Sequence, residues 1–260
     1  MRLFVYPKVK PVAIHKVAVI PIHLKEAVKV DLNRDISLGI LVKVDINLPI
    51  KWLYRMIVTL KKDRTTRRMI DYKRLNDAIP RQTNITQSMF MCASACPPHK
   101  KKTLLYAEDG YYSLICLDSD QAYTEFLCKF GRYRCIESGQ GLICSGDAYT
   151  ARFDKIKQDF TNVVRCFDDS LIWADNVSDM LDSICRYISV CAKGGINFNK
   201  KKFRLSQDEV EYVGFKISKD FIIPADSMTE AIRNSPQPKN ITDARAFFCL
   251  VEQISFALSK

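Results

Sequence analysis

The chain has 260 residues, of which 47% are hydrophobic and 27% charged, with only 9 glycines and 10 prolines. This length allows one or two compact domains, and the composition excludes the disordered and fibrous classes. Forty lysines and arginines against 29 acidic residues give a net charge of +11, which suits a polyanionic partner such as nucleic acid.

Ten cysteines are spread along the chain without a CxxC pair. The chain is long for a disulfide framework, shows no signal sequence, and has no uninterrupted apolar run that could cross a membrane. We therefore expect a reducing intracellular compartment and no contact with a membrane. Cys92, Cys96 and His99 offer three possible zinc ligands where a closed structural site needs four, so we interpret them as loop residues.

The first hundred residues predict an arm, a helix and short strands, in that order. Three prolines exclude a helix interior in residues 1–22, which predicts an extended arm. Residues 24–39 carry apolar residues at every fourth position and end in glycine, which predicts an amphipathic helix. The β-branched runs ILVKVDI, YRMIVTLKK and RRMIDY predict strands, and residues 79–102 predict a long connection.

The rest of the chain alternates apolar strands with helices. Three strands of one antiparallel sheet are predicted near residues 103–107, 162–167 and 170–174. Two further strands lie in TEFLCKFGRYRCIE, and VEYVGFKIS with FIIPA predicts a late hairpin. Helices are predicted over 147–160, 177–193 and from Thr242 towards the end of the chain. The mixture predicts an α+β fold with mainly antiparallel strands.

The first chemical feature is the adjacent pair Asp168 and Asp169, at the turn between two apolar strands. Two carboxylates at a hairpin tip can hold a divalent metal, and pairs of metal ions stabilise the attacking and leaving oxygens in polymerases and nucleases. The alternative is an ordinary solvated turn. The pair alone leaves both interpretations open.

Three further segments are each ambiguous alone. KKDRTTRRMIDYKRLN, residues 61–76, is either a basic hairpin that grips a triphosphate or a plain charged surface. SGQGLICSGDAY, residues 138–149, is either a segment whose small residues let a base pair lie close to the backbone or an ordinary glycine-rich loop. GGINFNKKKFRL, residues 194–205, ends a helix and begins a basic run, which also suits a charged surface strand.

The order of these segments resembles the reverse transcriptase domain of gypsy-type LTR retrotransposons over nearly the whole chain. MIDYKRLN resembles the family's "VDYRKLN", SGQGLICSG its "PxG" motif, CFDDSLIWAD its "YxDD" hairpin and GINFNKKKF its "GLxLNPxKC" motif. VEYVGFKIS and NSPQPKNITDARAFFCLV resemble the two elements that follow. The resemblance implies a right-hand polymerase fold. Fingers with an N-terminal arm would occupy residues 1–102, the palm with an interleaved fingers segment 103–218, and the start of a thumb or connection 219–260.

The resemblance also implies roles for individual residues. Asp168 and Asp169 match the catalytic, metal-binding carboxylates of the hairpin, with Mg²⁺ or Mn²⁺ as the implied cofactor. The implied nucleotide-binding residues are Arg67 with its neighbour Lys62, Tyr111 under the sugar, Gln140, and Lys202 near the leaving pyrophosphate. Gln140 and Gly141 match the strip beside the template and the nascent base pair. The implied partners are an RNA or DNA template–primer and dNTPs.

One position departs from the family pattern at the catalytic centre. The first palm strand of the family reads "LDxxxGY", with a metal-bridging aspartate four residues before the glycine. In TLLYAEDGYYSL that place is taken by Tyr106, a neutral phenol, with Glu108 and Asp109 as the nearest carboxylates. Smaller departures are Arg64, Gly139, Cys166 and Lys200. The sequence therefore predicts an RNA-directed DNA polymerase domain derived from a retrotransposon that has lost one catalytic position. A catalytically inactive nucleic-acid-binding module and a protein-interaction scaffold remain the alternatives.

Overall fold

The structure is a computed structural model that describes residues 1–60, 65–81, 87–108 and 110–258, with the backbone alone for 256–258. The chain forms two compact units. Unit 1 comprises Met1–Asn84 and Asp109–Lys155, and unit 2 comprises Ile85–Glu108 and Ile156–Lys260. In the described part of the chain, no helix combines the length and the apolar character needed to cross a membrane.

Strands and helices alternate irregularly along the chain, as expected for an α+β fold. The helices are α1 (Lys25–Ser37), α2 (Lys73–Asn76), α3 (Met89–Ser94), α4 (Asp118–Gln121), α5 (Ile143–Lys157), α6 (Val177–Lys193), α7 (Asp226–Arg233) and α8 (Ile241–Leu258). The first six strands are β1 (Leu41–Val44), β2 (Tyr54–Leu60), β3 (Thr66–Ile70), β4 (Lys101–Glu108), β5 (Phe126–Cys128) and β6 (Gly131–Cys135). The others are β7 (Val163–Cys166), β8 (Asp169–Ala174), β9 (Asn197–Phe198), β10 (Arg204–Gln207), β11 (Val210–Tyr212), β12 (Phe215–Ile217) and β13 (Ile222–Pro224).

Unit 1 is built on a five-stranded sheet in the order β1-β6-β5-β2-β3, in which only the β2–β5 pair is parallel. Val28 and Leu32 of α1 are fully buried in its core, as the four-residue apolar spacing predicts. The extended arm before α1 lies beside the segment that leads into β2. There the Ile14 N–H donates to the Leu53 carbonyl at 2.8 Å, and the Leu53 N–H donates to the Val12 carbonyl at 3.0 Å.

A buried ion-pair cluster ties β6 and the residue before β5 to the loop between β1 and β2. Glu125, which directly precedes β5, accepts hydrogen bonds from Arg132 at 2.7 Å and from Arg134 at 3.0 Å, both on β6. Arg132 also donates to the carbonyl of Leu48 at 2.7 Å, so it holds the loop between β1 and β2. Glu125 and Arg132 are almost fully excluded from water. A buried carboxylate is tolerated in such a place because its charge and its lone pairs are satisfied.

Unit 2 contains the predicted antiparallel sheet, in the order β10-β4-β8-β7. Leu171 and Ile172 of β8, which lies between β4 and β7, point to opposite faces of the sheet and are both fully buried, so both faces of this strand are covered. The two-residue strand β9 pairs with the end of β4. A separate three-stranded sheet, β11-β12-β13, matches the late hairpin and its return strand. The prediction that strands near 103–107, 162–167 and 170–174 share one sheet is confirmed.

Candidate functional site

The hairpin of β7 and β8 places the two aspartates at one end of the unit 2 sheet. Cys166 and Asp169 are the last cross-strand pair, so the turn consists of Phe167 and Asp168. Phe167 has a φ of 52°, a left-handed conformation that costs energy for a residue with a side chain and that occurs often at functional sites. The Asp168 carbonyl accepts a hydrogen bond from the Ala107 N–H at 2.7 Å, which ties the turn to β4.

Tyr106 lies directly across from Asp169 in the register of β4 and β8. The ammonium nitrogen (Nζ) of Lys202 lies over the Tyr106 ring, 5.2 Å from the ring centroid, which is within cation–π range. Burial raises the pKa of the Tyr106 phenol, and the nearby Asp169 and Glu211 carboxylates raise it further. The position that the resemblance matches to a metal-bridging aspartate is therefore occupied by a neutral ring within cation–π range of Lys202.

Glu108 is the first of two carboxylates that could substitute for the aspartate missing at position 106. Glu108 follows Tyr106 by two residues on β4, and its Oε1 accepts a hydrogen bond from the Asn199 side-chain amide at 3.1 Å. Asp109, the second candidate, lies outside the described residues. Among the residues that the structure describes, no three His, Cys, Asp or Glu side chains form a group that could hold a metal ion. Asp168, Asp169 and the Tyr106 phenol together do not fit a centre for two divalent ions, which needs carboxylates from both strands.

Burial of Asp169 gives a testable effect of pH on stability. Burial, and then the neighbouring Asp168 charge, raise the pKa of Asp169 to about 6, while Lys202 opposes the rise. In the unfolded chain the value is about 3.9. The folded state therefore binds the proton more tightly, so the cost of the charge is fully present above about pH 6 and disappears as the pH falls towards 4.

We expect Asp169→Asn to raise the free energy of unfolding by about 2 kcal/mol at pH 7.5, and by clearly less at pH 4.5. Urea unfolding in the presence of EDTA, followed by Trp173 fluorescence in a Trp52→Phe background, measures this difference. Asp159→Asn, which removes an exposed carboxylate of the same unit, is the control. An equal gain from Asp169→Asn at both pH values would contradict the assignment.

The implied nucleotide-binding cations lie on the β2–β3 hairpin of unit 1. Arg67 is exposed on β3 and pairs in register with Thr59. Its neighbour Arg68 points to the opposite side of the strand, where it donates to Asp35 of α1 at 2.5 Å. Arg67 is thus the β3 arginine that is available to a ligand. Lys61, Lys62 and Arg64 lie outside the described residues.

The glycine-rich loop before α5 is shaped by close contacts with β3 and the residues after it. Gly141 has a φ of +111°, and a Cβ there would stand 2.7 Å from the Ile70 carbonyl oxygen, so only glycine fits. A Cβ on Gly139 would meet the Tyr72 ring at 3.0 Å, which is a local reason for glycine in place of the family's proline. Gln140 lies between them and lines a cleft with Arg68 and Glu137.

Tyr111, implied to lie under the sugar, is the second residue of the short 3₁₀ turn Gly110–Ser113. Its ring is tilted against Tyr149 of α5, with the ring centroids 5.4 Å apart. A Cβ on Gly110 would overlap the Tyr149 hydroxyl, so this glycine is required for packing. Sequence reasoning missed both Tyr149 and the contact between Lys202 and Tyr106, because no spacing in the chain marks either of them.

Within each unit, the structure brings several implied site residues together. Unit 2 holds Asp168 and Asp169 with Tyr106 and Lys202, and unit 1 holds Arg67, Tyr111, Gln140 and Gly141. Their roles in binding and catalysis stay predictions, as does the division into residues 1–102, 103–218 and 219–260.

Adjacent aspartates at a hairpin tip supply carboxylates, the type of ligand that can hold divalent ions such as those used by polymerases and nucleases. Residues 59–217 match the reverse transcriptase (RNA-dependent DNA polymerase) family, and the chain belongs to that family.

Two viral and transposon proteins show how far the similarity extends. The chain is 25% identical over 191 residues to the Pro-Pol polyprotein of simian foamy virus type 1, an alignment that covers 74% of this chain and 17% of that protein. It is 24% identical over 187 residues to the retrovirus-related Pol polyprotein from transposon gypsy of Drosophila melanogaster, with 71% and 18% covered. The chain thus spans less than a fifth of these relatives. The reverse transcriptase resemblance is confirmed, and gypsy and foamy virus proteins share it alike.

Solved structures of foamy virus proteins share the fold. A foamy viral protease-reverse transcriptase in complex with double-stranded DNA superposes with a TM-score of 0.84 at 18% identity, covering 94% of this chain and 42% of that one. The same kind of protein in complex with an RNA/DNA hybrid gives a TM-score of 0.80 at 18% identity, covering 94% and 32%. The predicted α+β fold is confirmed by these structures.

Proposed function

We propose that the chain is a gypsy-type reverse transcriptase domain that binds template–primer duplexes but has lost most or all of its polymerase chemistry. The observation that carries this proposal is the placement of Tyr106 directly across from Asp169. A phenol whose pKa is raised stays neutral at physiological pH and cannot share a divalent ion with the two aspartates. The gypsy-type assignment is supported by the ordered motifs of the sequence, from MIDYKRLN to VEYVGFKIS.

Charge supports the nucleic-acid part of the proposal. Unit 1 carries 23 of the 40 lysines and arginines but 14 of the 29 aspartates and glutamates, which gives it a net charge of +9. In unit 2, Lys200 and Lys201 are exposed in a 3₁₀ turn beside β9. Lys and Arg side chains that neutralise phosphates release counterions, which provides most of the affinity for a duplex. The foamy viral structures in complex with double-stranded DNA and with an RNA/DNA hybrid are consistent with such a partner.

Mg²⁺ is the proposed cofactor, and a reducing intracellular compartment is the proposed location. Reverse transcriptases typically use Mg²⁺, and Asp168 and Asp169 are the residues that would hold it here. Because they lack a third carboxylate among the described residues, we propose weak binding of divalent ions.

A reducing intracellular compartment is proposed because all ten cysteines are free thiols, eight of them buried.

We expect the affinity for a template–primer duplex to fall steeply with salt, with a log–log slope of about −0.9 for each phosphate neutralised. Fluorescence anisotropy of a labelled RNA/DNA hybrid between 50 and 300 mM KCl, in EDTA, measures the slope. Lys200→Met with Lys201→Met should make it shallower by about one to two units.

The matched control is Lys219→Met with Lys239→Met, which removes the same charge from exposed positions of the same unit. We expect it to leave the slope nearly unchanged. Affinity that does not change with salt would contradict duplex binding and favour the protein-interaction scaffold.

A further inference from the structure

The charged side chains of the N-terminal arm are all positive, and the arm is hydrogen-bonded to other segments of unit 1. Residues 1–25 contain five lysines and arginines and no aspartate or glutamate: Arg2, Lys8, Lys10, Lys16 and Lys25. The arm has little regular structure, yet backbone N–H groups along its length donate hydrogen bonds to other segments of unit 1. The Leu3 N–H donates to Asp120 at 2.7 Å, the Tyr6 N–H to the Ala78 carbonyl at 3.0 Å, and the Ile14 N–H to the Leu53 carbonyl. The cations of the arm, of which Arg2, Lys8, Lys10 and Lys16 are exposed, are therefore attached to a folded unit.

Aromatic rings are exposed along the first part of the arm. Phe4 is 49% exposed and Tyr6 is 51% exposed, although rings of this size usually bury most of their surface. The Arg2 guanidinium lies 5.1 Å from the Phe4 ring centroid. Exposed rings beside cations are the elements with which proteins bind single-stranded nucleic acids, because bases stack on the rings while phosphates contact the cations.

An open cleft of about 490 Å³ adjoins Tyr6. Trp52 and Tyr123 line it as further aromatic residues, and Lys51 contributes an exposed cation. Glu125 is the only carboxylate among the described residues that line this cleft, and the arginines of β6 already neutralise it. The cleft has the volume of a small-ligand pocket and an excess of positive charge.

The other end of the arm presents a pair of lysines. Lys25 and Lys129 line a second open cleft, of about 600 Å³, together with Val17 and Val19. The positive charge of Lys129 lowers the pKa of Lys25. Two like charges that line one cleft repel each other, and an anion bound between them relieves that repulsion. A phosphate is an anion of suitable size and charge.

We propose that the arm, residues 1–25, is a second nucleic-acid-binding surface, which takes a single strand rather than a duplex. Bases stack on Phe4 and Tyr6 and enter the adjoining cleft, and phosphates contact the lysines between that cleft and the Lys25–Lys129 pair. A duplex does not fit this chemistry, because its bases are already stacked on one another. The surface goes beyond the duplex binding proposed above, since none of the residues implied for that function lies on the arm.

The test is the affinity of the full chain for a fluorescein-labelled dT12 oligonucleotide, measured by anisotropy. Tyr6→Ala should weaken dT12 binding about tenfold, as expected for the loss of one stacked base, whereas Tyr6→Phe keeps the ring and should keep the affinity. Lys8→Met with Lys10→Met should make the salt dependence shallower by about 0.7 for each lost phosphate contact. Lys219→Met with Lys239→Met is again the charge-matched control and should change neither value.

Three further probes decide the chemistry of the partner. An abasic oligonucleotide of the same length should bind more weakly than dT12 and should be insensitive to Tyr6→Ala. Poly-glutamate should also be insensitive to Tyr6→Ala, and equal losses on poly-glutamate and dT12 would indicate an acidic protein partner and overturn the proposal. The affinity for a blunt duplex should stay within about twofold in all arm variants.

The outcomes separate this proposal from the proposed duplex binding. If Tyr6→Ala leaves dT12 binding unchanged in a chain that still binds duplexes, the arm surface is wrong and the proposed function stands. If dT12 binds through the arm while duplexes do not bind, the proposed function fails and the arm surface stands. Equal losses on dT12 and duplex would make the arm part of the duplex site, which also overturns a second surface.

Discussion

Glu125→Gln is expected to lower the free energy of unfolding of unit 1 by about 3 kcal/mol. The substitution keeps the shape of the side chain but removes its charge, which leaves Arg132, 4% exposed, as a buried cation without its counterion. Removal of one partner from a buried ion pair is much more costly than loss of the pair's net contribution, because the remaining charge stays desolvated. Arg132 would also hold the Leu48 carbonyl less firmly, so the loop between β1 and β2 should become more mobile.

The measurement is urea unfolding followed by Trp52 fluorescence in a Trp173→Phe background, since these are the two tryptophans of the chain and only Trp52 lies in unit 1. Asp71→Asn is the control, because it removes a carboxylate that pairs with Arg55 at 3.1 Å on the outside of the same unit. A partly exposed pair of this kind contributes at most about 1 kcal/mol. If both substitutions cost the same, the cluster around Glu125 is not the strong electrostatic contact that its burial indicates.

Periodicity was sufficient to predict elements whose burial follows a simple pattern. The four-residue spacing over 24–39 corresponds to α1, and the two strands in TEFLCKFGRYRCIE correspond to β5 and β6. The strands around Asp168 and Asp169 were predictable because β7 and β8 are buried on both faces, which requires short apolar runs. Turn residues set the limits of such runs, so sequence alone also located the two aspartates at a hairpin tip.

The start of α5 shows where local signals failed. The sequence predicted a helix from about Asp147, yet α5 begins at Ile143. Serine and glycine at positions 145 and 146 have weak helix propensity. For that reason the sequence predicted that the helix begins after them. Tertiary packing overrides that preference, since Cys144 and Ser145 are buried in unit 1. The Asn76 side chain also accepts a hydrogen bond from the Ile143 N–H at 2.9 Å and thereby caps the helix.

The sequence predicted the unusual residue type at position 106 but not the contact that Tyr106 makes with Lys202. Its identity as the departure from the family pattern follows from the spacing to Gly110. Its contact with Lys202, 96 residues further along, depends on how the turn before β10 packs against β4. No periodicity or motif contains that information, because it arises from two elements that meet only in the folded chain. The structure therefore adds a cation to a position where the sequence showed only a missing carboxylate.

Tyr106→Asp is expected to strengthen the binding of divalent ions at least tenfold and to produce primer extension where the unmodified chain shows none. The substitution places a carboxylate in register with Asp169 and removes the ring that Lys202 contacts. Three carboxylates from two strands then converge on one point, the arrangement that a two-ion polymerase centre requires. Mn²⁺ binding, followed by titration calorimetry, tests the site independently of activity. Extension of a labelled primer in Mg²⁺ or Mn²⁺ tests the chemistry.

Tyr106→Asn separates charge from the removal of the ring, since it makes the same space and adds no carboxylate. We expect it to leave Mn²⁺ binding weak, and we expect Asp168→Asn to abolish whatever Tyr106→Asp gains. Recovery of extension should be partial, because Gly139 and Lys200 also depart from the family pattern and Gly139 packs against Tyr72. Robust Mg²⁺-dependent extension by the unmodified chain, lost in Asp168→Asn, would overturn the proposal of impaired chemistry and make Glu108 the next carboxylate to replace. If neither metal binding nor extension improves with Tyr106→Asp, the loss of function in this sheet extends beyond one residue, and the contact between Lys202 and Tyr106 is then a consequence of that loss rather than its cause.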